Sequence, residues 1–382
     1  MARRMPRKRL SVPSGSESPP PPPSPQEELV PRILQRSGPS SLVVSLPKDL
    51  VDREVLSAGQ FVYWSRDEDG DLRLRLPERT ARSRGPREIL VRLPQQSTPE
   101  QASRILLSSY VLGYDRVRIE DPNGLADEMR STLERTAHDL LGFTLTEGSK
   151  SGVVATSFLD PTAHPVPEVV SRIGYALDIL LEQMEKQLTK SPPTASPRVA
   201  SMRVEVRRLH ALTLRQLNLA AGNPRLARQL GVHRASHLLG TRVVTQLLED
   251  IAEASQVVAL ELDRMRRPPS SVRPILGQMH DRVATLRERL RLAIGSLRSG
   301  NPWEAERVLE SRAEALDYYL ATEALLRKLS GPTNLRHSLS LCSWWIGVAR
   351  QHAEAIAEVA FTRSLDRSPS ILDLSETGEK RP

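Results

Sequence analysis

Cysteine is almost absent from this chain. The single one, Cys342, excludes an internal disulfide framework and any metal centre built from several thiolates, and it reads as a buried structural residue. Long apolar runs are also missing. None approaches the ~20 residues that a membrane span requires, so an integral membrane protein is not expected. The opening MARRMPRKRL has no apolar core of the signal-peptide kind, and a cytoplasmic location follows as the expectation. Enzyme signatures fail in the same way. No G-x-S-x-G, H-E-x-x-H, G-x-G-x-x-G or C-x-x-C occurs. In GFTLTEGSKS, Ser149 separates Gly148 from Lys150, which spoils the Gly-Lys-Ser order of a phosphate-binding loop and leaves a hairpin turn as the reading. The eight histidines are scattered without metal-ligand spacing, and no catalytic residue is assigned.

What is present is length and positive charge. The 382 residues suffice for two or three cores. The net charge of +8 is concentrated. Arg3, Arg4, Arg7, Lys8 and Arg9 carry five positive charges on a segment that runs into SGSESPPPPPSP, whose prolines favour extended polyproline II and build no core. Residues 1–29 therefore read as a disordered basic tail, either a solubilising arm or one adding non-specific affinity for DNA or an anionic membrane surface.

The body that follows changes character twice. Residues 30–80 are β-rich: LVVSL, a short helical PKDLVDREVL, QFVYWS, a DEDGD turn and the strictly alternating LRLRL, the period-2 pattern of a half-buried strand. After the Arg-rich hinge RTARSRGPR, residues 86–160 form a small α+β module of order βαβαββ. Its first helix is announced by Thr98 at the N-cap, Pro99 in the first turn, Gln101 completing a capping box and Gly113 at the stop. Everything later is helical, with helices expected over 168–190, 202–221, 235–266, 275–298, 303–329 and 334–362. SPPTASP, RRPPSS and SGP separate them, and Asn301-Pro302-Trp303-Glu304 is a helix start. Pro268 and Pro269 divide the six into two sets of three, 166–267 and 273–363, each suited to one three-helix bundle. Residues 364–382 read as a disordered tail.

The stretch SGPSSLVVSLPKDLV poses a local puzzle, because a strand pattern passes straight into a helix at Leu46-Pro47-Lys48. Pro47 has no N–H to donate, so it ends strand pairing, and its fixed φ starts the helix. Arg36, Gly38, Leu46-Pro47-Lys48, Ala58-Gly59-Gln60 and Asp69-Gly70-Asp71 follow one another in an order that resembles the AbrB, SpoVT and MazE family of swapped-hairpin domains. The resemblance implies a dimeric, intertwined β-barrel, since so short a segment cannot bury a core alone. It also implies DNA binding through Arg32, Arg36, Lys48 and Arg53. Residues 32–84 hold ten basic and eight acidic side chains, but Arg32, Arg36 and Lys48 precede every acid, and phosphate contacts depend on local charge.

In the third helix of the bundle, LLEDIAEASQVVALEL sets Glu249 and Glu253 one turn apart beside Asp250. With VEVRRLHALTLRQL before it, this resembles the PhoU family, whose two three-helix repeats each carry a carboxylate motif of this spacing. The order of AbrB-like domain, α+β module and PhoU-like bundle is similar to archaeal phosphate uptake regulators. The resemblance implies a non-enzymatic, phosphate-responsive regulator acting on DNA as a homodimer. It also implies contact between the bundle and a phosphate ABC transporter or its signalling proteins. The alternative is an adaptor acting by protein contacts only. An antitoxin is disfavoured by the long helical half. By the same resemblance Glu249 and Glu253 are candidate ligands of iron or zinc. In the sixth helix the corresponding positions hold Gly347 and Gln351, so a single metal ion is the most that this set would bind.

Overall fold

The structure, a computed structural model, describes residues 32–54, 56–66, 70, 72–75, 86–190, 192–265, 268–330 and 332–366; at positions 53, 54, 65, 73, 75 and 313–319 it describes the backbone alone. The N-terminal tail expected at 1–29 lies outside the described residues, as does the C-terminal one beyond residue 366. The chain divides into two units, the first ending at Ser83 and the second starting at Arg84.

In the first unit, strands β1 (Gln35–Ser37) and β2 (Ser41–Val43) form an antiparallel hairpin, helix α1 spans Lys48–Glu54, and β3 (Tyr63–Arg66) pairs antiparallel with β4 (Leu72–Arg75). Gly38 turns the first hairpin with φ +81°, a left-handed conformation that disfavours a side chain. The Pro47 carbonyl accepts from Val51 N at 3.0 Å, so the proline stands at the strand-to-helix junction as its chemistry requires. The two hairpins belong to separate sheets. Of LRLRL, Leu72 and Leu74 are described with their side chains, and both are exposed, so the half-burial expected of them is not met within one chain. None of the described residues of this unit is buried.

The second unit begins with the α+β module: β5 (Glu88–Arg92), α2 (Pro99–Val111), β6 (Arg116–Glu120), α3 (Asp127–His138), β7 (Phe143–Gly148) and β8 (Gly152–Ser157). The element order is the expected one. The sheet order is β5-β6-β8-β7, with β5 parallel to β6 and the other pairs antiparallel. The capping box is in place, Thr98 Oγ1 accepting from Gln101 N and Gln101 Oε1 accepting from Thr98 N. Val117, Ile119, Val153, Ala155 and Phe143 pack with Leu106, Tyr110 and Leu133 into one core. The GFTLTEGSKS segment is the β7–β8 hairpin, closed by Ser149 N to Gly152 O at 2.8 Å.

The bundle comprises α4 (Val166–Thr189), α5 (Pro197–Ala221), α6 (Pro224–Gln229), α7 (Ala235–Arg264), α8 (Arg273–Ser299), α9 (Pro302–Glu310), α10 (Glu314–Lys328) and α11 (Thr333–Leu365). Three expectations need correction. The helix expected over 303–329 is interrupted by a 3₁₀ turn at Ser311–Ala313: Ser311 Oγ donates back to Val308 O, and Arg350 of α11 donates to the carbonyls of Ser311 and Arg312, competing for acceptors that an unbroken helix would use. Helix α6 was not expected, although Asn223-Pro224 repeats the Asn301-Pro302 start signal and Asn223 Oδ1 accepts from Leu226 N. The last helix runs on to Leu365 instead of giving way to tail at 364.

The two expected sets are present as four helices each, α4–α7 and α8–α11, and do not form separate bundles. α4, α5 and α7 pack on one another, as do α8, α9 and α11; α4 also lies against α8, and α7 against α11. The first helices of the two sets therefore meet, as do the last, and one continuous core runs from Val166 to Ala360. Cys342 is buried in that core, where burial pushes its thiol up to about 12. Asp178 of α4 spans the seam: Arg287 and Arg291 of α8 each donate from Nε and Nη2 to its two oxygens at 2.7–3.0 Å.

The α+β module is fastened to the bundle through α5. Arg215, 1% exposed, donates to the carbonyls of Tyr110 and Tyr114 at 2.9 and 2.7 Å and to Asp115 Oδ1 at 2.7 Å. Its guanidinium lies over the Tyr110 ring, 5.0 Å from the centroid. Burial pushes the Tyr110 phenol up to about 12, so it stays a neutral donor to Leu141 O at 3.0 Å. Gly113 has φ +86°, and a Cβ there would sit 2.5 Å from Leu219 of α5, so this turn needs glycine on both counts.

Replacing Arg215 by Met should lower stability by roughly 3 kcal/mol, because two carbonyls lose their donor in a buried seam. Denaturant unfolding should show a lower midpoint, and hydrogen exchange should show lost protection in α2. An unchanged midpoint would be inconsistent with the seam described. The Arg287 hydrogen bonds, aided by Arg291, hold Asp178 down to about 2, against about 3.9 for an unfolded aspartate. A depressed folded value contributes stability that is present above about pH 4 and is lost as the pH falls towards 2. Asp178→Asn should therefore flatten the acid limb of the stability–pH curve over that window.

Candidate functional site

Two groups of residues carry chemistry, one in each unit. In the first, Arg32 precedes β1, Arg36 lies within it opposite Leu42, and Lys48 opens α1; all three are exposed. The backbone of Arg53 lies in α1, and its side chain is outside the described residues. The charges share the hairpin and helix with apolar groups that nothing covers in the single chain. Ile33 is 83% exposed, Phe61 79% and Trp64 72%, and Leu34, Leu42, Tyr63 and Leu74 are exposed too. The register of β3 and β4 puts Trp64 opposite Leu74, with Leu72 two residues along on the same side, so these three exposed groups share one face of that hairpin. A face of that kind marks an interaction surface.

The second group is on α7. One oxygen from each of Glu249, Asp250 and Glu253 lies within 4.8 Å of the others. Helical spacing explains Glu249 and Glu253, one turn apart, while Asp250 flanks them on the same turn. Their surroundings are not equivalent. Glu249, mostly buried, accepts from Arg203 Nη2 of α5 at 2.5 Å. Asp250 accepts from Gln246 Nε2 at 2.9 Å, and Glu253 is exposed. His210 of α5 stands nearby, its Nδ1 3.0 Å from Thr245 O, and burial lowers its basicity while the Glu249 charge opposes the shift.

Arg203 went unrecognised in the sequence, yet a signal exists. Val199, Val206, Thr213 and Ala220 recur every seven residues on the buried stripe of α5, and Arg203 and His210 fall at the neighbouring stripe position, again seven apart. A guanidinium at a packed position needs an acid, and Glu249 is that acid. Arg203 Nε and Nη1 are buried without a hydrogen-bond partner among the described residues, so its charge is met at Nη2 alone.

The corresponding place on α11 has the opposite sign. A Cβ on Gly347 would lie 3.5 Å from Arg282 Nη2 of α8. Arg282 donates to the Ser343 hydroxyl at 2.7 Å and to its carbonyl at 3.3 Å, and burial together with the Arg350 charge lowers its basicity. Gln351 is exposed. A guanidinium thus stands beside Gly347, and among the described residues the α7 carboxylates are the one group of three or more acids, histidines or cysteines close enough to share a metal ion.

The α7 set fits part of the shell of one hard cation, which takes six or more oxygens in the case of calcium, and Arg203 already occupies one lone pair of Glu249. Metal analysis of chain prepared without chelator should therefore give at most one firmly held divalent ion per chain. Glu253→Gln, at an exposed position, should weaken that ion without altering the fold; two or more ions per chain, or retention in Glu249→Gln/Glu253→Gln, would contradict the assignment. Compared with known protein families, characterised proteins and solved structures, the chain matches none.

Proposed function

We propose that this chain is a dimeric regulator in which the N-terminal unit pairs with that of a second copy and holds DNA. In this reading the helical bundle is the sensing half, contacting a phosphate transporter or its signalling proteins. The carrying observation is the first unit itself: two hairpins in separate sheets, no buried residue among those described, and large apolar side chains such as Phe61 and Trp64 left exposed. Such a segment reaches a stable core only by sharing one. The exposed Arg36 and Lys48 supply cations for phosphate contact on the paired unit. Phosphate as the signal rests on the motif order described above, and the seam between the two helical sets supports a bundle able to transmit a change from one set to the other.

No described helix is long and apolar enough to cross a membrane, and the transporter partner is accordingly proposed as a docking surface for the bundle. Binding of the full chain to duplex DNA should weaken steeply with salt. Arg36→Ala/Lys48→Ala should lower affinity across unrelated sequences and reduce the slope of log K against log [salt] by about 2 per bound chain. Salt-insensitive or undetectable binding by the unaltered chain would remove the DNA reading in favour of the protein-contact adaptor.

A further inference from the structure

Among the described residues the sheet of the α+β module ends in two unpaired edge strands, and they are built differently. Edge strand β7 carries a register irregularity between Leu145 and Glu147 and exposes Thr144, Thr146 and Glu147, devices that blunt an edge against further pairing. Edge strand β5, Glu-Ile-Leu-Val-Arg, pairs with β6 in unbroken register and has no proline or lysine. At its centre Leu90 is 47% exposed.

The hydrogen bonds of β5 show which groups are unused. The Arg87 carbonyl accepts from Asp115 N and Arg116 N, and Leu93 N donates to Glu120 O. Odd-numbered residues thus direct their main-chain groups towards β6. Alternation along a strand then turns the N–H and C=O of Glu88, Leu90 and Arg92 to the free edge. The side chains of these three lie together on the exposed sheet face, whereas Ile89 and Val91 point to the helix side. There they line a shallow groove against α2, with Pro94, Gln96, Ile105 and Leu112.

We propose that a second copy of this chain adds its own β5 to this edge, antiparallel, about a two-fold axis through Leu90. The sequence of the strand is self-complementary in that register. Leu90 meets Leu90 of the second copy as a hydrogen-bonded pair, Glu88 meets Arg92 of the second copy, and Arg92 meets its Glu88. The three residues that this register bonds are the three whose main-chain groups face outward, and opposite charges directly across from one another favour the pairing. Ile89 and Val91 of the added strand enter the groove, and by symmetry the same happens on the other protomer. The result is an eight-stranded sheet running through the dimer. This interface lies in the second unit and is independent of whether the N-terminal hairpins intertwine.

Cross-linking of the full chain tests it. Leu90→Cys places two thiols across the axis within disulfide reach, while Arg92→Cys places its thiol opposite a glutamate; Cys342 is buried and does not compete. Under mild oxidation Leu90→Cys should form a covalent dimer roughly tenfold faster than Arg92→Cys. Adding Glu88→Arg to Leu90→Cys should slow the reaction, and adding Arg92→Glu to that pair should restore it. Because the charge swap is tested within one chain context, N-terminal pairing raises all of these rates together and cannot mimic the rescue. Equal rates for the two cysteine positions, no covalent dimer, or failure of the charge swap to restore the rate would each overturn the proposal; capture of a different partner at this edge would appear as the second of these.

Discussion

The second unit depends on the enclosure of one cation. Arg215 sits on α5 of the bundle, but its hydrogen bonds go to the last turn of α2, at Tyr110, and to the turn after it, at Tyr114 and Asp115. A buried guanidinium left without acceptors is costly, so the module and the bundle are held in the one arrangement that supplies them. Around it Arg208 donates to His138 O and Asn218 to Val111 O, and Ala211 joins the core of the module. Helix α5 therefore serves two cores, which explains why two folds of different class behave as one unit.

Charge compensation also separates the two halves of the bundle. Their helices meet in pairs, α4 with α8 and α7 with α11, an arrangement that invites the same side chains at matching places. Instead, the first set pairs Glu249 with Arg203, and the second puts Arg282 beside Gly347. Like carboxylates at both places would each need a cation or a metal. The two halves thus meet their buried charges differently, the first by an acid–arginine pair between α5 and α7 and the second, beside Gly347, by an arginine of α8 that donates to Ser343.

The first unit shows the opposite economy. Its short strands and helix form by local rules, proline at the junction and glycine in the turn, but its large apolar groups, Phe61 and Trp64 among them, stay exposed and none of its described residues is buried. The edge of β5 repeats the theme on a smaller scale, as an unblunted strand with an exposed leucine at its centre. Both features leave apolar surface that association with another chain would remove from water.

Local signals in the sequence determined a good deal. The Thr98–Gln101 box, Pro47, the Asn301-Pro302 start and the alternation of LRLRL each act within a few residues, and the elements they announce are present. The α+β order was legible for the same reason: each strand and helix carries its own period and its own stop. The sequence also exposed Glu249 and Glu253 as a pair, because helical spacing alone brings them to one turn. Tertiary structure decided what lies across from them. Arg203 is 46 residues from Glu249, and Arg215 is 100 or more from the carbonyls it holds, separations that no local period encodes. The break at Ser311 was hidden likewise, since it depends on Arg350 arriving from another helix. Prolines could divide six helices into two sets, but only the packing of α4 on α8 and α7 on α11 shows that they close over a single core, because burial of an apolar stripe is settled by whichever neighbour covers it.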